Sequence, residues 1–379
     1  MPVSPALAED LAAAITVLYE DAELALIEIL RRALAEGIDS PRWAEAKLRS
    51  IGDLREAVET VANALQTDAN GRVAEALATA YGRGRQAAVA ELGALDIGRE
   101  LQARRVLPGA PAVDRLAASY AADTRPLYAR ITRAVLDVFR GVTSRAAGAQ
   151  LLTGQSRRDA SQRALNEFAR RGVTGFVDRS GRSWELAAYA EMAVRSVTAR
   201  AAIEGHIDAL AEIGAALVIV SDAPLECPLC RPWEGEILAL QGPPGPHTVR
   251  LDHAIQPTGL FAARTTVAVH VAGSLPEARA AGLFHPNCRH SLGLYLPGVT
   301  TRPPHHATPG TDYEDTQRQR AIERNIRAWK RRQAAAMDED ARRYAAAYVR
   351  RWQARARENV AAHPEVRRQP AREQIGRAR

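Results

Sequence analysis

The three cysteines of this chain all lie within residues 221–296, and they constrain its fold more than any other feature. Cys227 and Cys230 form a C-x-x-C motif, and Cys288 follows within the stretch His285-Pro286-Asn287-Cys288-Arg289-His290. Two ligands three residues apart can reach one ion from a tight turn, and the proline that follows one ligand in each pair favours such turns. The C-x-x-C and H-x-x-C pairs together supply the four soft ligands of a closed tetrahedral zinc site.

The sequence therefore predicts a structural Zn²⁺ held by Cys227, Cys230, His285 and Cys288, with His290 as the competing fourth ligand. A closed site leaves no open coordination position, which indicates an architectural role for the ion rather than a catalytic one. An odd number of cysteines excludes a disulfide framework. The alternative is a small hydrophobic knot of ordinary thiols with a Cys227–Cys230 disulfide, and the lack of a second C-x-x-C keeps it open.

Composition indicates a helical protein. The chain has 379 residues, enough for two or three domains, and its hydrophobic fraction of 46% is rich in alanine and only 5% aromatic. Such a composition suits long helices that pack through small side chains. No run of 18 apolar residues predicts a membrane span, and the N-terminus lacks the pattern of a secretory signal. We therefore expect a protein made in a cytoplasm, with reduced thiols and no membrane partner.

Apolar periodicity predicts separate helices over residues 5–35, 40–65 and 70–95, and a further helix that begins after a break at Pro126. A short β-hairpin is expected at 176–184, and a buried strand at 216–221 leads into the C-x-x-C motif. The predicted fold class is mainly α with a small α+β domain. Its parts are a long helical N-terminal region, a compact zinc-knot-like domain that contains the strands, and a basic helical C-terminal tail. The expected divisions are 1–108 (helical), 109–173 (helical connection), 174–300 (α+β with the Cys/His cluster) and 301–379 (linker and tail).

The tail concentrates positive charge. Residues 301–379 carry 19 Lys/Arg and 10 Asp/Glu, a net charge of +9 in a chain whose total is +7. Two helices are expected, over about 311–337 and 338–362, and the last fifteen residues are expected to be poorly ordered. The first helix is predicted to carry a charged side, formed by Arg320, Arg324, Arg327 and Arg331. Such a tail suggests a partner that is nucleic acid or an acidic protein surface. The alternative is a solvated helix whose arginines pair with local acids such as Glu323.

Four pieces of sequence, in a fixed order, resemble a known family. They are Asp178–Arg195 with Asp-Arg-Ser-Gly-Arg-Ser-Trp at its start, Val218–Gly235 with the C-x-x-C, His285–His290, and the tail pattern Gln319–Arg331. The set resembles the phage minor capsid protein type 2 family and, more loosely, the Mu F-like minor head proteins. The resemblance covers about residues 170–360. It implies a virion protein of the head that associates with the portal or the major capsid protein during assembly, near packaged double-stranded DNA. It supplies no catalytic residues.

Two other functions are compatible with the residues. An HNH-like metal-dependent nuclease would use His253 of Asp252-His253 as general base, with Asn287 and His290 as later members of the motif, although these two are unusually close. A zinc-containing nucleic-acid-binding protein is the other alternative, but the segment between the ligand pairs lacks the pattern of a recognition helix. The tail aromatics Trp329, Tyr344, Tyr348 and Trp352 have helical spacing, which favours packing over base stacking. No nucleophile–base pair is evident, so we expect no enzymatic activity.

Overall fold

The structure is a computed structural model and describes residues 5–92, 110–152, 156–172, 176–177, 183–223, 227–256, 263–286, 288–302 and 312–376. Its helices are α1 Pro5–Ala35, α2 Trp43–Arg49, α3 Ile51–Leu92, α4 Pro111–Leu152, α5 Arg157–Arg171, α6 Leu186–Glu212, α7 Leu275–Ala280, α8 Tyr313–Ala334 and α9 Glu339–Ala362. Its strands are β1 Phe176–Val177, β2 Ser183–Trp184, β3 Leu217–Val220, β4 Ile237–Ala239, β5 His247–Asp252, β6 Thr266–Val271, β7 Gly273–Ser274 and β8 Leu292–Leu294. The predicted fold class, mainly α with a small α+β part, is confirmed.

Two predicted helix breaks are wrong. The expected helices 40–65 and 70–95 are largely one helix, α3, which follows the short α2. The buried stripe Leu65, Ala69 and Val73 crosses the expected gap at helical spacing, and no glycine or proline interrupts residues 65–70. Likewise, α4 runs through Pro126. A proline inside a helix costs about 3 kcal/mol, and the buried apolar face that follows it in α4 offsets this loss.

The chain forms two compact units. The first unit comprises residues 1–12, 73–118 and 192–313, and the second comprises residues 13–72, 119–191 and 314–379. Helices α1, α3, α4 and α6 each contribute residues to both units. The divisions expected at residues 108, 173 and 300 follow changes in composition and stay predictions.

The first unit is built on a four-stranded sheet with the order β7-β4-β3-β8. The predicted strand at 216–221 is confirmed as β3, which lies between β4 and β8 and pairs antiparallel with both. Val218 and Val220 pack with α6 and the end of α3, whereas Leu217 belongs to a second apolar cluster with the β5–β6 hairpin. Because side chains alternate between the two faces of a strand, β3 is buried on both sides.

In the described residues of the second unit, the regular structure is helical apart from the antiparallel pair β1–β2, which confirms the hairpin strands. The turn between them, residues 178–182, lies outside the described residues. In its core the hydroxyl of Tyr19 lies 2.7 Å from each of the hydroxyls of Tyr120 and Tyr128. The residues expected to be poorly ordered also pack here. Val366 and Glu373 are buried, and Gly376 N donates to Glu20 Oε2 over 3.1 Å. Ion pairs and backbone contacts, rather than an apolar pattern, hold this segment.

None of the described helices combines the length and apolarity that a membrane-spanning segment requires.

Helices α3 and α6 approach each other at two glycines. A Cβ atom placed on Gly84 would collide with the carbonyl oxygen of Ala202, and one placed on Gly205 would collide with the carbonyl oxygen of Tyr81. Beside this crossing, Tyr81 donates to Asp208 over 2.7 Å. Gly84 and Gly205 therefore permit backbone-to-backbone contact between the two helices, because neither carries a Cβ atom.

We predict that Gly205→Ala destabilises the protein by at least 1–3 kcal/mol, the usual cost of overpacking about one methyl group, because the obstructing atom is backbone. Gly82→Ala is the matched control, since nothing lies within 4 Å of its added Cβ. This control should be neutral or stabilising by up to about 1 kcal/mol. Urea unfolding of the two variants measures the difference. Equal stability would show that the crossing can open without cost.

Candidate metal centre and C-terminal helices

The C-x-x-C motif forms a tight turn shortly after β3. The carbonyl of Cys227 accepts hydrogen bonds from the amides of Cys230 and Arg231, each over 3.1 Å, and the carbonyl of Cys230 accepts from Trp233 N over 2.9 Å. The last of these bonds belongs to a short 3₁₀ helix, Arg231–Trp233, which contains a proline. Cys230 is fully buried and Cys227 is half-buried. The turn places the two thiols three residues apart at the margin of the apolar cluster of the first unit.

The second pair of ligands lies on a turn that follows α7. Phe284 has φ 62°, in the left-handed region that non-glycine residues rarely adopt, and this residue reverses the chain just before His285. The carbonyl of His285 then accepts from Cys288 N over 2.9 Å. Asn287, which completes the H-P-N-C motif, lies outside the described residues. A hydrogen-bonded turn therefore spaces His285 and Cys288 as the C-x-x-C turn spaces its two thiols.

The two turns meet, although 58 residues separate Cys230 from Cys288. Cys227 Sγ lies 2.8 Å from His285 Nε2, and Cys230 Sγ lies 3.5 Å from Cys288 Sγ. Two thiolates on one tetrahedral zinc ion stand about 3.8 Å apart, given a Zn–S bond of about 2.3 Å. The structure therefore places Cys227 next to His285 and Cys230 next to Cys288, so that the two predicted ligand pairs lie side by side.

Two overlapping groups of three could each hold a metal ion. Cys227, Cys230 and His285 form one group and Cys230, Cys288 and His290 form the other, with ligand atoms in each group within 4.8 Å of one another. Both histidines have a partner for the second ring nitrogen, as metal-bound histidines usually do. His285 Nδ1 lies 2.7 Å from the carbonyl of Pro286, and His290 Nε2 lies 2.6 Å from Glu234 Oε1.

His290 also makes two contacts to the sulfur of Cys288. Its Nδ1 lies 3.3 Å from Sγ, and its backbone amide donates to Sγ over 3.4 Å. The Glu234 carboxylate on the far side of the ring is buried and further accepts from Ala223 N over 3.3 Å. Glu234 is a site residue that the sequence reasoning missed. Glu234 contacts His290, which lies 56 residues later in the sequence, and no local sequence pattern predicts this contact.

The electrostatics of this cluster favour a thiolate at Cys288. A hydrogen bond from Cys230 lowers the pKa of Cys288 to about 4, burial opposes this shift, and His290 adds to it. The pKa of Cys230 is raised by the same contact with Cys288 and by burial. Burial alone would lower the pKa of His290, but the contacts with Cys288 and Glu234 outweigh burial and raise it. A thiolate is the form of cysteine that binds metal.

All three cysteines are free thiols, so the alternative Cys227–Cys230 disulfide is not formed. The closest pair of sulfurs is Cys230 and Cys288. The thiols also pack against the apolar cluster of the first unit, as the hydrophobic-knot alternative expected. Metal binding and thiol packing are therefore both compatible with this geometry.

The residues of the nuclease alternative have local structural contacts. Asp252 pairs with Arg264 over 2.9 Å, and His253 Nδ1 accepts from Ile255 N over 3.1 Å within its own turn. His253 is in neither of the metal-compatible groups found among the described residues. The proposed general base therefore acts here as the acceptor that closes a turn after β5.

The predicted charged side of the first tail helix is partly wrong. Arg327 and Arg331 of α8 are buried, with 5% and 1% of their surface exposed. Arg331 lies 3.5 Å from Glu23 and 3.0 Å from Glu185, and its Nε donates to the carbonyl of Ala169 over 2.9 Å. These two arginines therefore bind carboxylate and carbonyl oxygens of the second unit, and they are unavailable to phosphates.

The tail aromatics pack against each other, as their spacing predicted. Trp329 of α8 stacks on Tyr348 of α9 with a centroid distance of 4.1 Å, and Tyr344 lies edge-on to Trp329 at 6.0 Å. Arg332 and Arg355 lie over Trp329 and Trp352, at 4.2 and 4.8 Å from the ring centroids. Stacked pairs hold the α8–α9 hairpin together, and only Tyr344 keeps most of its side chain exposed, at 60%.

Helix α9 carries accessible positive charge. Arg350, Arg351 and Arg357 are exposed and have no acidic partner among the described residues. Arg342 and Arg343, nearer the start of the helix, are paired with Glu339. The second tail helix therefore carries exposed arginines without acidic partners, whereas two of the four arginines predicted to form a charged side on the first are buried.

Comparison with known proteins supports one family. The family model described as phage minor capsid protein 2 matches residues 3–361, nearly the whole chain. No curated protein and no solved structure matches this chain. The match includes both the Cys/His segment and the two tail helices.

We predict that Arg331→Met destabilises the second unit by about 3–5 kcal/mol, because it leaves the buried carboxylate of Glu23 and the partly buried carboxylate of Glu185 without their cation. Arg331→Lys should lose less stability than Arg331→Met, because it keeps the positive charge. It cannot reach the oxygens of Glu23, Glu185 and the Ala169 carbonyl together. Arg350→Met, which removes the same charge from an exposed site, is the control and should change stability by less than about 0.5 kcal/mol. Chemical unfolding monitored by circular dichroism gives the three values. Similar values for Arg331→Met and the control would contradict a structural role.

Proposed function

The chain belongs to the phage minor capsid protein 2 family, and we propose that it is a head protein anchored by contacts with the portal or the major capsid protein. The observation that carries this proposal is the match over residues 3–361, because it includes the elements of both compact units. A minor capsid protein has to bind other virion proteins, so accessible charged and aromatic surfaces are the features to examine.

We further propose that Cys227, Cys230, His285 and Cys288 hold a structural Zn²⁺. The group Cys227, Cys230 and His285, the proximity of Cys288 to Cys230 and the low pKa at Cys288 support this assignment. His290 is assigned to the outer shell, because its Nδ1 and its amide both approach the Cys288 sulfur as hydrogen-bond donors to a thiolate would. Glu234 then fixes the orientation of the His290 ring. With four protein ligands the ion has no place for a reacting water, so its contribution would be to the folding of the first unit.

Elemental analysis of the purified chain should give about one zinc equivalent, and Cys288→Ser should lower it and destabilise residues 217–296. His285→Gln should lose most of the metal. His290→Gln should keep the stoichiometry and lower the affinity by about 10–100-fold, as changes to outer-shell partners do. His253→Gln is the control and should leave metal content unchanged.

If the chain contains no metal when it is purified without chelator, the zinc proposal is wrong and the cluster is a hydrophobic knot of thiols. Loss of zinc with His290→Gln but not with His285→Gln would exchange the two histidines in the ligand set. Metal-dependent DNA cleavage that His253→Gln abolishes would revive the nuclease alternative.

We propose that the outer face of α9 is the docking surface for the portal or capsid. Arg350, Arg351 and Arg357 lie within two turns of the helix, which spans about 10 Å along its axis. Exposed Tyr344 lies about two turns before Arg350 on the same helix. Tyrosine and arginine together are the side chains most often found at the energetic centres of protein interfaces. An acidic wall of another head protein would complement this face.

Deletion of the tail is a poor test, because α8 and α9 form part of the second unit. We instead predict that Arg350→Glu/Arg351→Glu/Arg357→Glu lowers incorporation into phage particles several-fold while the purified chain keeps its stability. The control triple variant, Arg72→Glu/Arg83→Glu/Arg115→Glu, changes as many exposed arginines elsewhere.

The measurement is the ratio of this chain to the major capsid protein in purified particles. Equal incorporation of both triple variants would contradict the docking proposal. Normal incorporation with reduced, salt-sensitive DNA binding in vitro would make packaged DNA the partner of α9.

A further inference from the structure

A groove in the second unit lies between the first part of α3 and the middle of α4. It has a volume of about 760 Å³. Ala62, Tyr128 and Leu136 are buried residues that form its floor, and Pro126 and Ala129 lie exposed beside them. Its base is therefore largely apolar, and Ala62 and Ala129 leave room there for the side chains of a ligand.

Four arginines line this groove, namely Arg55, Arg125, Arg133 and Arg140. The only acidic side chain in its lining, Glu59, accepts from Arg55 Nε over 2.7 Å. Arg140 lies 3.9 Å from Asp137, at the limit of an ion pair. Arg125 and Arg133 have no acidic partner within the described part of the chain. The α4 edge of the groove therefore carries positive charge that the second unit does not neutralise.

The two edges of the groove differ. Beyond the Arg55–Glu59 pair, the α3 edge presents the uncharged amides of Asn63 and Gln66. The α4 edge presents arginines at intervals of eight and seven residues, which places them about 12 and 10.5 Å apart along the helix axis. A ligand that complements this groove has an apolar centre, negative charge on one side and neutral polar groups on the other.

We propose that the groove binds an amphipathic α-helix of another protein, with acidic residues along the edge that faces α4. From Arg125 to Arg140 the edge is about 22 Å long, which matches a helix of about 15 residues lying along α4. Carboxylates seven or eight residues apart on such a helix fall on one face, and each can accept two hydrogen bonds from an arginine. The apolar stripe of the helix covers Ala62, Ala129 and Leu136, the arrangement of helix-in-groove recognition.

The apolar floor favours a helix over nucleic acid as the ligand of this groove. A phosphodiester backbone has no apolar surface to cover Ala129 and Leu136, and it would gain only the charge interactions of the arginines. A helix gains the charge interactions together with burial of the floor. The groove also lies apart in sequence from the exposed arginines of α9, so the two surfaces can be altered independently.

The test uses the purified full-length chain and a labelled amphipathic peptide of about 18 residues. Its apolar stripe carries Leu and Ala, and its acidic edge carries Glu at seven- and eight-residue intervals. A scrambled peptide of the same composition and a short DNA duplex are the comparison probes. Arg125→Glu/Arg133→Glu should weaken binding of the amphipathic peptide at least tenfold. Ala129→Trp, which fills the floor from an exposed position, should do the same.

Arg42→Glu/Arg72→Glu is the matched control, because it reverses two exposed arginines that do not line the groove. This control should bind the peptide as the unaltered chain does. A peptide with Lys in place of Glu should bind the Arg125→Glu/Arg133→Glu variant better than the unaltered chain. That exchange of preference would not follow from misfolding, which thermal unfolding of each variant also monitors.

Equal binding of the scrambled peptide, or equal loss in the control variant, would overturn the proposal in favour of a nonspecific basic surface. Absence of peptide binding together with DNA binding that Arg125→Glu/Arg133→Glu removes would assign the groove to nucleic acid and also overturn it. Neither result depends on the incorporation of the chain into particles.

Discussion

The antiparallel pairing of β3 with β8 is the contact on which the Cys/His cluster depends. At the end of this pairing Ser221 N donates to the carbonyl of Ser291, and Ser291 N donates to Ser221 Oγ, each over 2.9 Å. Just beyond this point one strand continues towards the C-x-x-C turn, and the other has just left the turn that carries His285 and Cys288. A shift of one residue in register would exchange the two faces of β3 and separate the turns. The sheet and the Cys/His cluster therefore form together.

Both faces of β3 enforce this register. Val218 and Val220 pack into the cluster that includes Cys230, and Leu217 packs towards the β5–β6 hairpin. The edge strand β8 is held in addition by Glu91 of α3, which accepts from Leu294 N over 2.9 Å and lies 3.1 Å from His206 Nε2 of α6. Helices that lie far away in sequence thus fix the strand that positions Cys288.

In the second unit, buried charge has the organising role that the sheet has in the first. The residues Asp315, Gln319, Glu323, Arg327 and Arg331 follow each other at intervals of four along α8, and all are buried. Buried polar groups are stable only when each finds a partner, and here the partners come from other parts of the second unit. Such a stripe permits very few positions of α8 on its neighbours, because a displaced helix would leave charges unpaired. The exposed charge of α9 is thereby held on a fixed element.

The sequence by itself determined those features that depend on neighbouring residues. They are the Cys/His motifs of the cluster, the buried strand before them and the end of α9 near residue 362, because each follows from local chemistry. The tertiary structure alone decided that Gly84 serves a helix crossing, that Glu234 supports His290, and that Arg331 is buried while Arg350 is exposed. Turn and strand propensities act over a few residues of the chain. The burial of a charge, by contrast, is favourable only where a partner from a distant segment compensates for its lost hydration, and no short stretch of sequence contains that partner.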